Sequence, residues 1–167
     1  MWKRGTALAA DLGRALALND TELCTEVSDV PCVDVHRAPL GRADPFGTGL
    51  LSPVPRPMAT TALATERVAL SACSARVEKD RAGSPQVFEG IDLSDQPLSA
   101  GLAAQRTAAE QLAKILYPRL LSRTATPAEV DVLRELAVGS TGQPVSARSF
   151  AKLACFAIAT TTEFVLY

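Results

Sequence analysis

Apolar and polar positions alternate most clearly in residues 112–167, and the rest of the chain reads as built around that stretch. Thr126-Pro127-Ala128-Glu129 carries a helix start. A threonine hydroxyl can accept a free first-turn N–H, proline wastes no donor at the first helical position, and a glutamate three residues on can reach back to the cap. Val130, Leu133 and Ala137 then fall on one face, with Asp131, Arg134 and Glu135 off it, and Gly139, Gly142 and Pro144 make the stop. From Phe150 to Ala159 only Lys152 is charged, which predicts a helix buried nearly all round and central to a core. That run is far below the roughly 20 residues needed to cross a bilayer.

Upstream, residues 6–18 predict a helix with Leu8, Leu12, Ala15 and Leu16 on its inner face, followed by a short second helix begun at Asn19-Asp20. Residues 28–58 then change character. Six of the 11 prolines (Pro31, Pro39, Pro45, Pro53, Pro55, Pro57) lie there with Gly41, Gly47 and Gly49, so no regular helix is predicted. The expectation is an ordered, extended loop docked through Leu40, Phe46, Leu50 and Leu51. Thr60 or Thr61 caps a helix to about Asp80 with Ala69, Leu70, Cys73 and Val77 inward. Gln86, Val87 and Phe88 suggest a short strand. A long helix from about Leu98 buries a stripe of Leu98, Leu102, Ala109, Leu112 and Leu116, with Gln105 its polar exception and Pro118 its kink. No internal repeat or low-complexity tract interrupts this order.

Composition sharpens the fold class. Hydrophobic residues make up 47% but aromatics only 5%, and alanine and leucine dominate, which favours packed helices over sheets. Seventeen basic against 18 acidic residues give a formal net charge of −1, without the basic excess that a nucleic-acid binder shows. Met1-Trp2-Lys3-Arg4 looks like the charged start of a secretory signal, but Asp11 and Arg14 interrupt the apolar core such a signal needs. If the protein is exported, this chain is the mature form or part of a longer precursor.

Four cysteines with one histidine and no Cys-x-x-Cys pair point to disulfides more than to metal, and an even count fits an oxidising compartment. Cys24 and Cys32 flank a short turn and would pin one end of the proline-rich loop. Cys73 and Cys155 are expected on facing helices, bonded to each other or serving as two buried thiols.

His36 is the single histidine, so any histidine chemistry must use it. A zinc site of Cys24, Cys32 and His36 would need a fourth ligand, Cys73 or Asp34, at a spacing matching no common finger; a hydrogen-bonded loop histidine is the simpler reading. Haem ligation by His36 and Met58 is weaker still. No Gly-x-Ser-x-Gly elbow presents a nucleophile, and the loop glycines lack a phosphate-binding spacing. His36, Arg37, Arg42 and Arg56 are candidate partner or anion contacts. The competing reading has the arginines tying loop carbonyls to Asp34 and Asp44. The hydroxyls of Thr160, Thr161 and Thr162 are read as bonding back to a helix end.

Residues 24–80, with CVDVHRAPLGRADPFG, PRPMATTALATERVALSACSARV and their cysteine placement, resemble uncharacterised exported proteins and lipoproteins of myxobacteria. RLLSRTATPAEVDVLRELA and FAKLACFAIATTTEFVLY are similar to the closing helices of planctomycete-type exported proteins that accompany cytochrome c domains. The resemblance implies a periplasmic or cell-surface setting and a redox neighbourhood; the cytochrome motif is absent, so haem is not carried over. The expectation is thus a mostly α, single-domain bundle of about five helices over 1–167, wrapped by the proline-rich loop 28–58, with a C-terminal helical core at 112–167. Its expected role is a non-enzymatic structural or interaction module of the bacterial envelope or an extracytoplasmic assembly, with a protein partner, no cofactor, no nucleic acid and no transmembrane segment. The alternative is an accessory subunit of a periplasmic electron-transfer complex; a hydrolase using His36 ranks third.

Overall fold

A computed structural model of the chain describes every residue except Pro55, Ser84 and Tyr167. The fold is mostly α, as the composition predicts, with eight helices among the described residues where about five were expected. They are α1 (Gly5–Leu16), α2 (Asp20–Leu23), α3 (Cys32–Val35), α4 (Thr61–Ala82), α5 (Leu102–Leu121), α6 (Pro127–Glu135), α7 (Ala147–Ala159) and α8 (Thr162–Val165). One two-stranded antiparallel ribbon, β1 (Thr25–Glu26) with β2 (Val30–Pro31), pairs Thr25 with Pro31 and Glu26 with Val30. No helix among the described residues is long and apolar enough to cross a membrane. The chain gathers into two compact units, Met1–Ala75 with Ala159–Tyr167, and Arg76–Ile158.

In the first unit α1 buries Leu8, Ala9, Leu12, Ala15 and Leu16, the face its spacing predicts. Ala17 ends it in the left-handed conformation, its N–H returning to the Gly13 carbonyl. Asn19 and Glu22 form a reciprocal capping box on α2, which stops at Leu23 where the ribbon begins. The ribbon turn holds Val27, Ser28 and Asp29 at φ 42°, 62° and 67°, three consecutive left-handed residues, none of them glycine. The proline-rich segment contains this second strand and the one-turn helix α3 before it becomes irregular, so it is less extended than expected. Gly41 (φ 76°) passes so close beneath Trp2 that a Cβ there would meet the indole Cζ2 at 2.7 Å. The unit's two chain ends meet: Lys3 N–H donates to the Val165 carbonyl at 2.8 Å, and Trp2 bridges Leu166. Thr161 caps α8 by accepting the Phe164 N–H.

In the second unit α6 begins as read, with Thr126 accepting the Glu129 N–H and Glu129 accepting the Thr126 N–H. Val130, Leu133 and Ala137 are buried, and α6 lies against α5. Several expectations fail here. α5 starts at Leu102, not Leu98, and Leu102 is exposed, so the inner stripe begins at the buried Gln105. Pro118 sits inside α5 without breaking it: Lys114, whose carbonyl loses its partner, and Pro118 are both exposed, and water can take up the orphaned acceptor. Gln86, Val87 and Phe88 form bends, not a strand.

Two helical faces also need correction. Ala69, Cys73 and Val77 are buried on α4 but Leu70 is exposed, and on α7 Leu153 is exposed while Phe156 and Ala157 are half-buried, so α7 is not apolar-covered all round. Cys24 and Cys32 form a disulfide with Cα atoms 5.3 Å apart. Cys73 and Cys155 are each in a disulfide-bonded state, and no cysteine is free.

Candidate functional site

The ribbon and α3 place chemistry around the Cys24–Cys32 bond. Cys32 N–H donates to the Cys24 carbonyl at 2.9 Å, fixing the two cysteines through backbone as well as sulfur. α3 then returns His36 one turn beyond Cys32, its N–H donating to the Cys32 carbonyl at 2.8 Å. The His36 ring lies with Nε2 3.0 Å from Glu26 Oε2, and Arg67 Nε donates to Glu26 Oε1 at 2.6 Å. The Arg67 hydrogen bond, with the charges of His36 and Arg67, holds the Glu26 carboxyl below its usual range against the opposing effect of burial. His36 is therefore the loop histidine of the simpler reading, in a His36–Glu26–Arg67 chain. Glu26 and Arg67 were missed by the sequence reading. Glu26 becomes a partner of residue 36 only when the ribbon folds back, and Arg67 lies 41 residues away.

Arg37 and Arg42 are absorbed by the segment itself. Arg37 Nε donates to the Asp34 carbonyl at 2.8 Å; Arg42 Nη1 donates to Asp34 Oδ1 at 2.6 Å and to the Val33 carbonyl at 3.4 Å. Arg56 is exposed. These four residues do not converge on one anion site: His36 faces Glu26, and Arg37 and Arg42 face Asp34.

The loop at 44–50 is closed by backbone. Asp44 N–H donates to the Leu50 carbonyl at 2.9 Å, and the Asp44 carbonyl accepts from Thr48 and Leu50 at 3.2 Å each. Asp44 Oδ1 accepts the Gly47 N–H at 3.2 Å, and a Cβ at residue 47 would meet the same carboxylate at 2.5 Å and push it aside. This frame carries Phe46 and Leu51 at 97% and 85% exposure, against the expectation that both would dock. Leu40 is fully buried and Leu50 half-buried, so the segment is anchored at its base and bare at its tip.

Near the joined termini, Trp2, Leu8, Met58, Val165 and Leu166 line an open apolar cavity of about 280 Å³. Lys3 at its edge is bonded to Asp11 at 2.8 Å and lies 4.4 Å from the Phe164 ring centre.

In the second unit the polar centre is Asp80, whose side chain is 0% exposed. It accepts N–H bonds from Gln86, Val87 and Phe88 at 2.9, 3.0 and 2.8 Å, and pairs with Arg76 at 2.5 Å. Burial raises its pKa, but these donors together outweigh burial and hold it below its ordinary value. On the surface, Glu78 receives Arg148 and Lys152, and Asp95 receives Arg81 and Arg148. Glu129 is drawn down to about 2, first by the Arg123 guanidinium and then by Thr126. Such charges fix loops and helix ends, and Asp80, Arg81 and Asp95 also line an open hollow of about 570 Å³ with Phe88, Leu93 and Ser94. No protein family, curated protein or solved structure matches the chain.

Proposed function

We propose that the chain is a disulfide-fixed interaction module of an extracytoplasmic assembly, with a binding and not a catalytic role, and that the 44–51 tip makes its protein contact. The observation that carries this reading is Phe46, almost wholly in water on a backbone-closed loop. Aromatic side chains, phenylalanine among them, are enriched in protein interfaces relative to the rest of the surface. Burying a phenylalanine is worth about 1.5–3 kcal/mol, and a loop already held in shape loses little entropy on binding. Disulfides, which persist where the surroundings are oxidising, support the compartment. The test is a photo-crosslinking amino acid placed at Phe46 and, as control, at the exposed Val132 of α6, each in the native host. A discrete adduct from position 46 and none from 132 supports the tip as the contact. Equal labelling, or none at 46, sinks it.

A further inference from the structure

Thr61 and Thr65 stand one turn apart on α4, and both are buried, at 7% and 9% exposure. Their hydroxyls fare differently. Thr61 accepts the Met58 N–H at 2.8 Å and donates to the Pro39 carbonyl at 2.6 Å. The Thr65 hydroxyl has no hydrogen-bond partner among the described residues. A helical threonine can bond back to the preceding turn, as Thr107 does to the Ala103 carbonyl at 3.0 Å, but Thr65 does not. It lines the 280 Å³ cavity beside the joined chain ends instead. We infer that this cavity binds a small, uncharged, mainly aliphatic molecule carrying one hydroxyl or carbonyl oxygen, and that Thr65 hydrogen-bonds that oxygen.

The cavity is preformed. Trp2, Val165 and Leu166 are held together by the Lys3 N–H bond to the Val165 carbonyl at 2.8 Å and by the Trp2–Leu166 bridge. Leu8 adds a side chain only 1% exposed, and Met58 is fixed at the start of α4 through its N–H to Thr61. None of these ties depends on what the cavity contains, so little has to be ordered when a ligand enters. An apolar cavity of about 150 Å³ takes benzene, and by that scale this one has room for about ten to twelve non-hydrogen atoms.

Two features set the ligand's polarity. Of the charged residues in the lining, Lys3 is bonded to Asp11 at 2.8 Å and Glu66 stands exposed. A carboxylate or phosphate would meet the Glu66 charge while the Lys3 ammonium is already engaged, so a neutral ligand fits best. Thr65 supplies the second feature. In the open cavity water reaches its hydroxyl, and a ligand that displaces this water must replace its hydrogen bond. Pure hydrocarbon would strand the hydroxyl, whereas an alcohol or ketone oxygen satisfies it. The lining shares no residue with the 44–51 tip, so this site and that contact are tested separately.

The test titrates the full-length oxidised protein with n-octanol, read through Trp2, the single tryptophan and itself part of the lining. A saturable change in Trp2 emission is expected, with chemical-shift changes at the Met58 and Val165 methyl groups marking the place. From n-butanol to n-octanol each added methylene should tighten binding about three- to fourfold. Ala62→Phe, at an exposed position of α4 that lines the cavity, adds bulk outside the core and should abolish binding. Thr65→Val keeps the side chain's shape and removes the hydroxyl. It should weaken n-octanol about fivefold, the scale of one net hydrogen bond, while toluene, which has no oxygen, binds more tightly than to the parent. The inference is overturned by any of three results: no saturable change with n-octanol, Ala62→Phe binding it as the parent does, or Thr65→Val failing to move n-octanol and toluene in opposite directions.

Discussion

The stretches 24–44 and 80–98 are both broken by prolines and turns, and both end up ordered, yet the forces that hold them differ. In the first, a covalent bond closes the ribbon and Arg42 ties residue 42 to Asp34 and Val33. In the second, one buried carboxylate collects three successive backbone N–H groups, and Val87, Phe88 and Leu93 are buried behind it. A disulfide acts mainly by restricting the unfolded chain, whereas Asp80 acts in the folded state, where its donors have no water to turn to. The disulfide depends on redox conditions and Asp80 on acid, although Glu26 beside the disulfide is likewise a carboxylate held below its ordinary pKa.

The sharpest way to break this contrast is Asp80→Ala. It takes the acceptor from three N–H groups and one carboxylate partner from Arg76, and urea unfolding should show a loss of about 3–5 kcal/mol. A loss below about 1 kcal/mol would mean that the surrounding apolar contacts, not the carboxylate, fix the segment. Because the folded-state pKa of Asp80 lies below its ordinary value of 3.8, its stabilisation is complete above about pH 4. It is lost as the pH falls through the folded value, and Asp80→Asn should flatten that acid limb.

Replacing Cys24 and Cys32 together by alanine should cost roughly 2.5 kcal/mol, the loop-closure entropy for so short a ring. If the double variant unfolds at the same urea concentration as the parent, the ribbon's hydrogen bonds suffice and the contrast is wrong. Arg42→Ala should cost less, about 0.5–1 kcal/mol, because its pair with Asp34 is partly in water. Phe46→Ser should move stability by no more than about 0.5 kcal/mol, since the ring buries nothing. A larger drop would show that the tip is part of the fold and not a free contact surface.

The legible parts of this chain were those whose causes are local. Thr126, Pro127 and Glu129 announce α6 because cap, ring and carboxylate act within one turn. The inner face of α1 follows from spacing alone. Asp80 was read only as the end of a helix, since its partners are backbone N–H groups six to eight residues on, and backbone donors carry no residue type to read. Val87 and Phe88 suggested a strand for the same reason: their side chains are buried, but their N–H groups face a carboxylate and not another strand. Leu70, Leu102 and Leu153 have the right spacing for burial and are exposed all the same, because periodicity gives a stripe's direction and not its width. The Glu26–Arg67 contact, joining residues 41 apart, depends on the completed fold.

The chain has a single tryptophan, Trp2, half-buried above Gly41 and bridged to Leu166. Its emission is therefore an optical address for one corner of one unit, the place where the two chain ends and the turn at residue 41 touch. Ultraviolet fluorescence on denaturation reads the loosening of that corner, while far-ultraviolet circular dichroism, dominated by α4 and α5 as the longest helices, reads backbone across the chain. Coincident transitions would make the chain one cooperative block; a fluorescence change at lower urea would give the joined ends a melting event of their own.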